Sequence, residues 1–217
     1  MIELYTWNTP NGQKPLILLE ELALPYRTHP IDIGAGDQKE KAYLAINPNG
    51  RIPAIVDARG EAPLRVFESG AILVHLCEQA GEAGERFLPR AAGARAEVLA
   101  WCFWQVGGPG PMVGQWHHFA QAREERIEAA IARYRDESVR LLRVFERGLD
   151  GRDHIAGDYS IADMMCWPWL QGTVGDLEKA GADLPSLRRV RNWIERVGDR
   201  PAVQRAMAVA EGLKKDR

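Results

Sequence analysis

The strongest constraint on this fold is a change of pattern part-way along the chain. Through about residue 80, short runs with a period of two alternate with runs of helical spacing; from about residue 90 onward only helical periodicity remains. Alternating strands and helices bury their apolar faces as a layered α/β unit, whereas helices alone pack as a bundle. Two units are therefore expected within 217 residues, a length that accommodates one large domain or two small ones. Gly81-Glu82-Ala83-Gly84 is the expected linker, separating an α/β domain at 1–82 from an all-α domain at 89–217.

Ile2, Leu4 and Thr6 alternate with Glu3 and Tyr5, as a strand requires. Beyond Thr9-Pro10-Asn11-Gly12, the residues Leu16, Leu18, Leu19, Leu22 and Leu24 fall at helical spacing, with Pro15 tolerable only in a first turn. Tyr26 to Ile33 is a second extended run, and Pro30 within it lacks a ladder donor, which predicts an edge strand. Ile52-Pro53-Ala54-Ile55-Val56 and Leu64-Arg65-Val66-Phe67 predict a β-hairpin across Asp57-Ala58-Arg59-Gly60, after which Glu68-Ser69-Gly70 opens a helix. The order βαβ, then ββα, predicts one right-handed parallel crossover and one antiparallel hairpin. In the second half, Ile127, Ile131, Tyr134, Ser138, Leu141, Leu142 and Phe145 mark one face of a long helix, and Leu187, Val190, Ile194 and Val197 mark another. Ser160-Ile161-Ala162-Asp163 has capping-box spacing with Asp in the fourth place; it reads as a helix start worth about 1 kcal/mol, not as a catalytic carboxylate.

With 28 basic and 30 acidic residues, a net charge of -2, the chain offers no electrostatic case for nucleic acid or an anionic membrane. No apolar run reaches the roughly 18 residues of a membrane span. Met1-Ile2-Glu3-Leu4-Tyr5 lacks the basic-then-apolar pattern of a signal peptide. Cys77, Cys102 and Cys166 lie far apart with no CxxC pair, which argues against a disulfide framework. A cytoplasmic protein is expected.

Three segments of the first domain carry chemistry. Thr9-Pro10-Asn11-Gly12 lies between the first strand and the first helix, where a hydroxyl and an amide beside free backbone N–H groups stabilise an anion. The plain alternative is that Thr9 and Asn11 only cap the helix, in line with their cap preference. Arg51-Ile52-Pro53 sets a proline at the head of an internal strand. It is either an ordinary trans residue, as most X–Pro bonds are, or a cis bond turning the Ile52 backbone outward to pair with an extended peptide. Glu68-Ser69 stands at the mouth of the next helix. Ser69 and the amides behind it suit a carboxylate and Glu68 an ammonium, together the α-amino, α-carboxylate end of an amino acid; the alternative is one more cap. Each signal is weak alone, and their presence together on one small domain is what informs.

Thr9-Pro10-Asn11-Gly12, Asn47-Pro48-Asn49-Gly50-Arg51-Ile52-Pro53-Ala54, Phe67-Glu68-Ser69-Gly70-Ala71-Ile72 and Ser160-Ile161-Ala162-Asp163 resemble the glutathione transferase superfamily. Within it, the tetrapeptide at 9–12, Trp104-Gln105-Val106-Gly107-Gly108-Pro109-Gly110-Pro111-Met112 and Gln115-Trp116-His117-His118-Phe119 resemble the bacterial nu class of disulfide-bond oxidoreductases, over essentially the whole chain. The resemblance implies a thioredoxin-like N-terminal domain with a mixed four-stranded sheet of order 2-1-3-4. It also implies an all-α C-terminal domain forming a second-substrate cleft, and a homodimer. Glutathione, reduced or oxidised, is the implied co-substrate. By the same resemblance Thr9 and Asn11 face its sulfur, Pro53 is cis and Ile52 pairs with the cysteinyl backbone. Gln38 and Arg133 contact the ligand's polar ends, and Glu68 and Ser69 take the γ-glutamyl group.

Many thioredoxin-like oxidoreductases carry Cys-Pro-x-Cys where this chain reads Thr9-Pro10-Asn11-Gly12, and other transferases place a catalytic Tyr, Ser or Cys near the end of strand one. Both thiols are absent, and Tyr5, the nearest tyrosine, lies inside a strand. The reactive sulfur is therefore expected from glutathione, whose thiol, with a free pKa of about 8.5, can be held as thiolate by donors at a helix N-terminus. The expected activity is reduction of a small-molecule disulfide by two glutathiones, with some transferase or peroxidase activity. Conjugation to an apolar electrophile is one alternative and a non-catalytic glutathione-binding regulator a second; no Asn/Gln-rich stretch precedes Met1-Ile2, which counts against the latter. Cys77, Cys102 and Cys166 sit among apolar neighbours and read as core. His117 and His118 are adjacent, point about 100° apart on a helix and cannot chelate together, so no metal is expected. The Gly-Pro cluster at 107–111 predicts a helix break, and Trp104, Met112, Trp116 and Phe119 wall either the cleft or the helix–helix core.

Overall fold

Period-two alternation produces the first strand as expected: Ile2, Leu4 and Thr6 are fully buried in the computed structural model, which describes residues 1–121 and 126–213. In chain order the elements are β1 (Ile2–Thr6), α1 (Pro10–Glu21), β2 (Tyr26–Pro30), a 3-10 turn (Asp37–Lys39), α2 (Lys41–Leu44), β3 (Ala54–Asp57), β4 (Leu64–Phe67), α3 (Ser69–Gln79) and α4 (Glu82–Glu85). Then follow α5 (Ala92–Gly107), α6 (Pro109–Gln121), α7 (Glu128–Gly148), α8 (Ile161–Lys179), α9 (Arg188–Gly198) and α10 (Pro201–Gly212). The strands form one mixed sheet of order β2-β1-β3-β4, with β1 and β2 parallel and the other two pairings antiparallel. Pro30 closes the edge strand β2, which stops short of Ile33.

The chain divides into two units, Met1–Arg90 with the stretch from Asp199 onward, and Ala91–Gly198. The expected all-α domain at 89–217 thus differs from the second unit at its far end, because α10 belongs to the first. The reason lies in α1, where Leu16, Ile17, Leu18 and Leu19 are all fully buried, so that one covered face does not suffice. α10 packs on α1 with the small buried face Ala202, Val203, Ala206 and Ala210. Arg200 donates to the Glu21 carboxylate at 2.6 and 3.0 Å, and Arg205 to Glu20 at 2.8 Å, closing the rim.

Two further expectations give way. Pro15 sits inside α1, beyond its first turn, with Pro10 holding the first helical position instead. Gly81-Glu82-Ala83-Gly84 is not a linker but the turn into α4, with Gly84 pressed on α3: a Cβ there would lie 1.9 Å from the Cys77 carbonyl oxygen. The junction between units falls after Arg90.

The second unit is helical, with α5 ending at Gly107 and α6 starting at Pro109, a break where the Gly-Pro cluster predicts one. α8 is its buried centre and packs on α5, α6 and α9. Its capping box forms: Ser160 Oγ accepts from the Ala162 amide at 3.3 Å and Asp163 Oδ2 from the Ser160 amide at 3.0 Å. Asp163, fully buried, also accepts from Ile155 N–H at 3.1 Å and Trp193 Nε1 at 2.7 Å, so one carboxylate ties α8 to its lead-in and to α9. Among the described residues no helix is long and apolar enough to cross a membrane.

Candidate functional site

Sheet register brings the sequence segments together. Tyr5 near the end of β1 pairs with Ala54 at the start of β3, and Ala54 pairs with Phe67 at the end of β4. The loop after β1, the residues before β3 and the start of α3 therefore meet at one end of the sheet. β2 is parallel to β1, so its continuation toward Gln38 leaves from the same end. The N-termini of α1 and α3, with their unpaired amides and positive dipole ends, both open there.

Thr9 is the N-cap of α1, in extended geometry, and its Oγ1 accepts from the Gly12 amide at 3.2 Å. Capping and anion binding are compatible, because a hydroxyl that accepts still has one proton to donate. Asn11 stands half-buried beside it in the first turn. Gly12 is required by close approach: a Cβ would lie 2.1 Å from the Trp7 carbonyl oxygen and 2.6 Å from Thr6 Oγ1. Thr6, fully buried, donates to the Gly12 carbonyl at 3.0 Å, fastening the loop to the end of β1.

The Ile52–Pro53 bond is cis, the form that the family resemblance implies. The preceding loop is braced by two donors on one acceptor. Tyr43 Oη and Asn47 Nδ2 reach the Arg51 carbonyl at 2.5 and 2.6 Å, and Asn47 Oδ1 accepts from the Asn49 amide at 2.9 Å. Burial pushes the Tyr43 phenol up to about 12, so it stays a donor across the physiological range. Gln38, 9% exposed, donates through Nε2 to the Ile33 carbonyl at 3.3 Å, while its Oε1 is buried without a hydrogen-bond partner among the described residues. A buried amide oxygen left in this state implies an absent donor.

Glu68 precedes α3 with φ of 69°, a conformation that costs a non-glycine residue about 1–3 kcal/mol and marks a constrained position. Its side chain is exposed, with Oε1 3.4 Å from Asn49 Nδ2. Ser69, the first residue of α3, is buried, and Lys14 Nζ donates to its Oγ at 3.4 Å. Lys14 was not singled out by sequence; the one available signal is its place on the apolar side of α1, one turn before Leu18. Tyr43 was likewise missed, and Asn47 entered only as part of the family motif, since both act by bracing a backbone carbonyl.

Arg133 is exposed on α7 in the second unit, in a cleft of about 580 Å³ with Met112, Tyr134, Asp136, Glu137 and Arg140. Trp116 is 1% exposed and therefore core, Trp104 is half-buried against Trp101 and Phe145, and Phe119 stacks on Tyr134. Tyr5 stacks on His29, with ring centroids 4.5 Å apart, and its burial raises the phenol pKa. His117 lies 3.4 Å from Asp176, and no group of metal-ligating side chains occurs among the described residues. Cys77, Cys102 and Cys166 are buried and form no disulfide.

Residues 9–79 match the family model of the glutathione S-transferase N-terminal domain. The chain is 45% identical over 215 residues to the disulfide-bond oxidoreductase YfcG of Escherichia coli, covering 97% of this chain and 96% of that protein. It is 40% identical to the disulfide-bond oxidoreductase YghU of the same organism, covering 96% of this chain and 74% of the relative. A glutathione transferase from Burkholderia graminis, solved with two glutathione molecules per subunit, superposes with a TM-score of 0.87 at 39% identity, covering 95% of this chain and 87% of the other. One from Pseudomonas putida, solved with one glutathione disulfide per subunit, gives a TM-score of 0.87 at 36% identity, covering 95% and 90%. With its sheet of order β2-β1-β3-β4, its helical second unit and these relatives over nearly its full length, the chain belongs to the glutathione transferase family.

Proposed function

We propose that this protein is a glutathione-dependent disulfide reductase of the nu class. The observation that carries the reading is the burial of every cysteine, at 3%, 6% and 0% exposure, beside a site loop, Thr9-Pro10-Asn11-Gly12, that has no thiol. The sulfur chemistry then belongs to the ligand: two glutathione thiols give up two electrons and two protons to a substrate disulfide, leaving glutathione disulfide and two substrate thiols. Thr9, with its hydroxyl proton unspent by the cap, and Asn11 at the first turn of α1 hold the ligand's sulfur as thiolate. Ile52 offers backbone groups to the cysteinyl residue ahead of Pro53, Gln38 Oε1 accepts an N–H from the ligand, and Glu68 and Ser69 take its γ-glutamyl end. Arg133 contributes a cation to a polar end of the ligand. Related structures solved with two glutathiones or one glutathione disulfide per subunit support a reaction that consumes a pair.

Conjugation to an apolar electrophile uses the same thiolate and is the second reading, supported by the transferase relatives. A homodimer is proposed as well, supported by Phe103 and Val106, which stand 72% and 48% exposed on α5. The test is glutathione-dependent reduction of hydroxyethyl disulfide by a variant with Cys77, Cys102 and Cys166 all changed to Ala. Retained turnover with an intact fold supports the reductase reading, and its loss with an intact fold overturns it.

A further inference from the structure

Lys14 is only 1% exposed, although it carries an ammonium, and its place is at the corner where α1 meets the start of α3. An ammonium has three donors and no acceptor, so its hydrogen bond to Ser69 runs in one sense: Lys14 donates and Ser69 Oγ accepts. The single proton of the Ser69 hydroxyl cannot return to Lys14, and it donates to no other described residue. A hydroxyl constrained in this way is a donor in search of an acceptor. The surroundings select a charged one, because the buried cation and the positive dipole end of α3 favour the same sign of ligand.

We infer that Lys14 is a positioning residue which fixes the Ser69 hydroxyl as a donor, so that this corner takes the α-carboxylate of a γ-glutamyl group and rejects ligands lacking it. The inference rests on the glutathione reading of the site. It assigns the two halves of the amino-acid end to different sides: the carboxylate to Ser69 with Lys14 behind it, and the ammonium to exposed Glu68, steadied by Asn49. Because the contact ends at the γ-glutamyl residue, γ-glutamylcysteine shares it, whereas 4-aminobutyryl-cysteinyl-glycine, which has no α-carboxylate, does not.

Calorimetric titration of the wild-type chain with glutathione and with the 4-aminobutyryl analogue tests this directly. Wild type is expected to prefer glutathione by roughly 10- to 100-fold, the range of a charge-assisted hydrogen bond. Lys14→Met is expected to collapse that preference, and to collapse it no further when combined with Ser69→Ala. An equal loss of affinity for both ligands in Lys14→Met, or an undiminished preference, overturns the inference, since a merely structural lysine has no means of telling the two apart. Should Lys14→Met fail to fold, Lys14→Gln, which keeps a polar side chain but can accept as well as donate, carries the same comparison and must lose the preference too. Failure of the wild type to bind glutathione faults the reading of the site; binding without discrimination faults the role of Lys14 alone.

Discussion

Exchange of Thr9 for aspartate separates the helix cap that its hydroxyl makes from the sulfur contact proposed for it. Thr9 Oγ1 accepts from the Gly12 amide at 3.2 Å, which is the cap; its proton is what the proposed function assigns to the ligand's sulfur. Aspartate caps helices at least as well as threonine, so Thr9→Asp should unfold close to wild type; Thr9→Ala loses the cap, about 1 kcal/mol or roughly 2–4 °C in a chain of this size. The aspartate also sets a negative charge beside the bound thiolate. At about 5 Å and an effective dielectric constant of about 20, the two charges repel by about 3 kcal/mol, or about two units of thiol pKa. The thiolate absorbs in the ultraviolet, so titrating the glutathione-bound protein against pH, with free glutathione subtracted, reads the shift. Thr9→Asp should retain its unfolding midpoint and raise the bound thiol by about two units. A bound thiol titrating as in wild type refutes the placement of the sulfur at Thr9, and a Thr9→Asp midpoint that falls as far as that of Thr9→Ala, or a Thr9→Ala midpoint that does not fall, refutes the cap.

Three other outcomes are expected. Gly12→Ala forces a Cβ to 2.1 Å from the Trp7 carbonyl oxygen, a backbone clash that only a shift of the loop relieves; urea unfolding should show a loss of at least about 2 kcal/mol, with glutathione binding lost in parallel. Asp163→Ala strips the acceptor from Ile155 N–H, Ser160 N–H and Trp193 Nε1 at a fully buried position and should cost about 3–5 kcal/mol by the same assay. Arg59, at 2.7 Å, and His75, at 2.8 Å, hold the Asp57 carboxyl below the usual carboxylate range. A depressed folded pKa gives stability that is present above the unfolded value of about 3.9 and is lost as pH falls below it toward the folded value; Asp57→Asn should therefore flatten the acid limb of an unfolding-against-pH curve and leave its neutral slope alone.

Local signals were legible wherever one residue does one job. Alternation at Ile2, Leu4 and Thr6, the hairpin about Asp57–Gly60 and the capping box at Ser160 each produce the element their spacing predicts. Thr9 was legible as a cap because a hydroxyl at a helix N-terminus accepts from a free backbone amide. Residues whose role depends on distant partners were not. Lys14 meets Ser69 across 55 positions, and Arg200 meets Glu21 across 179, so neither contact leaves a periodic trace. Gly84 read as a linker because its composition is that of a loop, whereas its reason is the Cys77 carbonyl beneath it. The aromatic tract at 104–119 was ambiguous for a related reason: apolar residues at helical spacing suit a cleft wall and a core equally, and burial decides for core at Trp116, while Trp104 stays half-buried.

The central claim is that this fold positions and ionises a sulfur that it does not own. A crystal of the chain grown with glutathione tests it most directly. The account predicts the tripeptide across the end of the sheet, with its sulfur within about 3.5 Å of the Thr9 hydroxyl or Asn11 and its α-carboxylate on Ser69. A sulfur turned away from Thr9 and Asn11, or bonded to Cys77, Cys102 or Cys166, would contradict it.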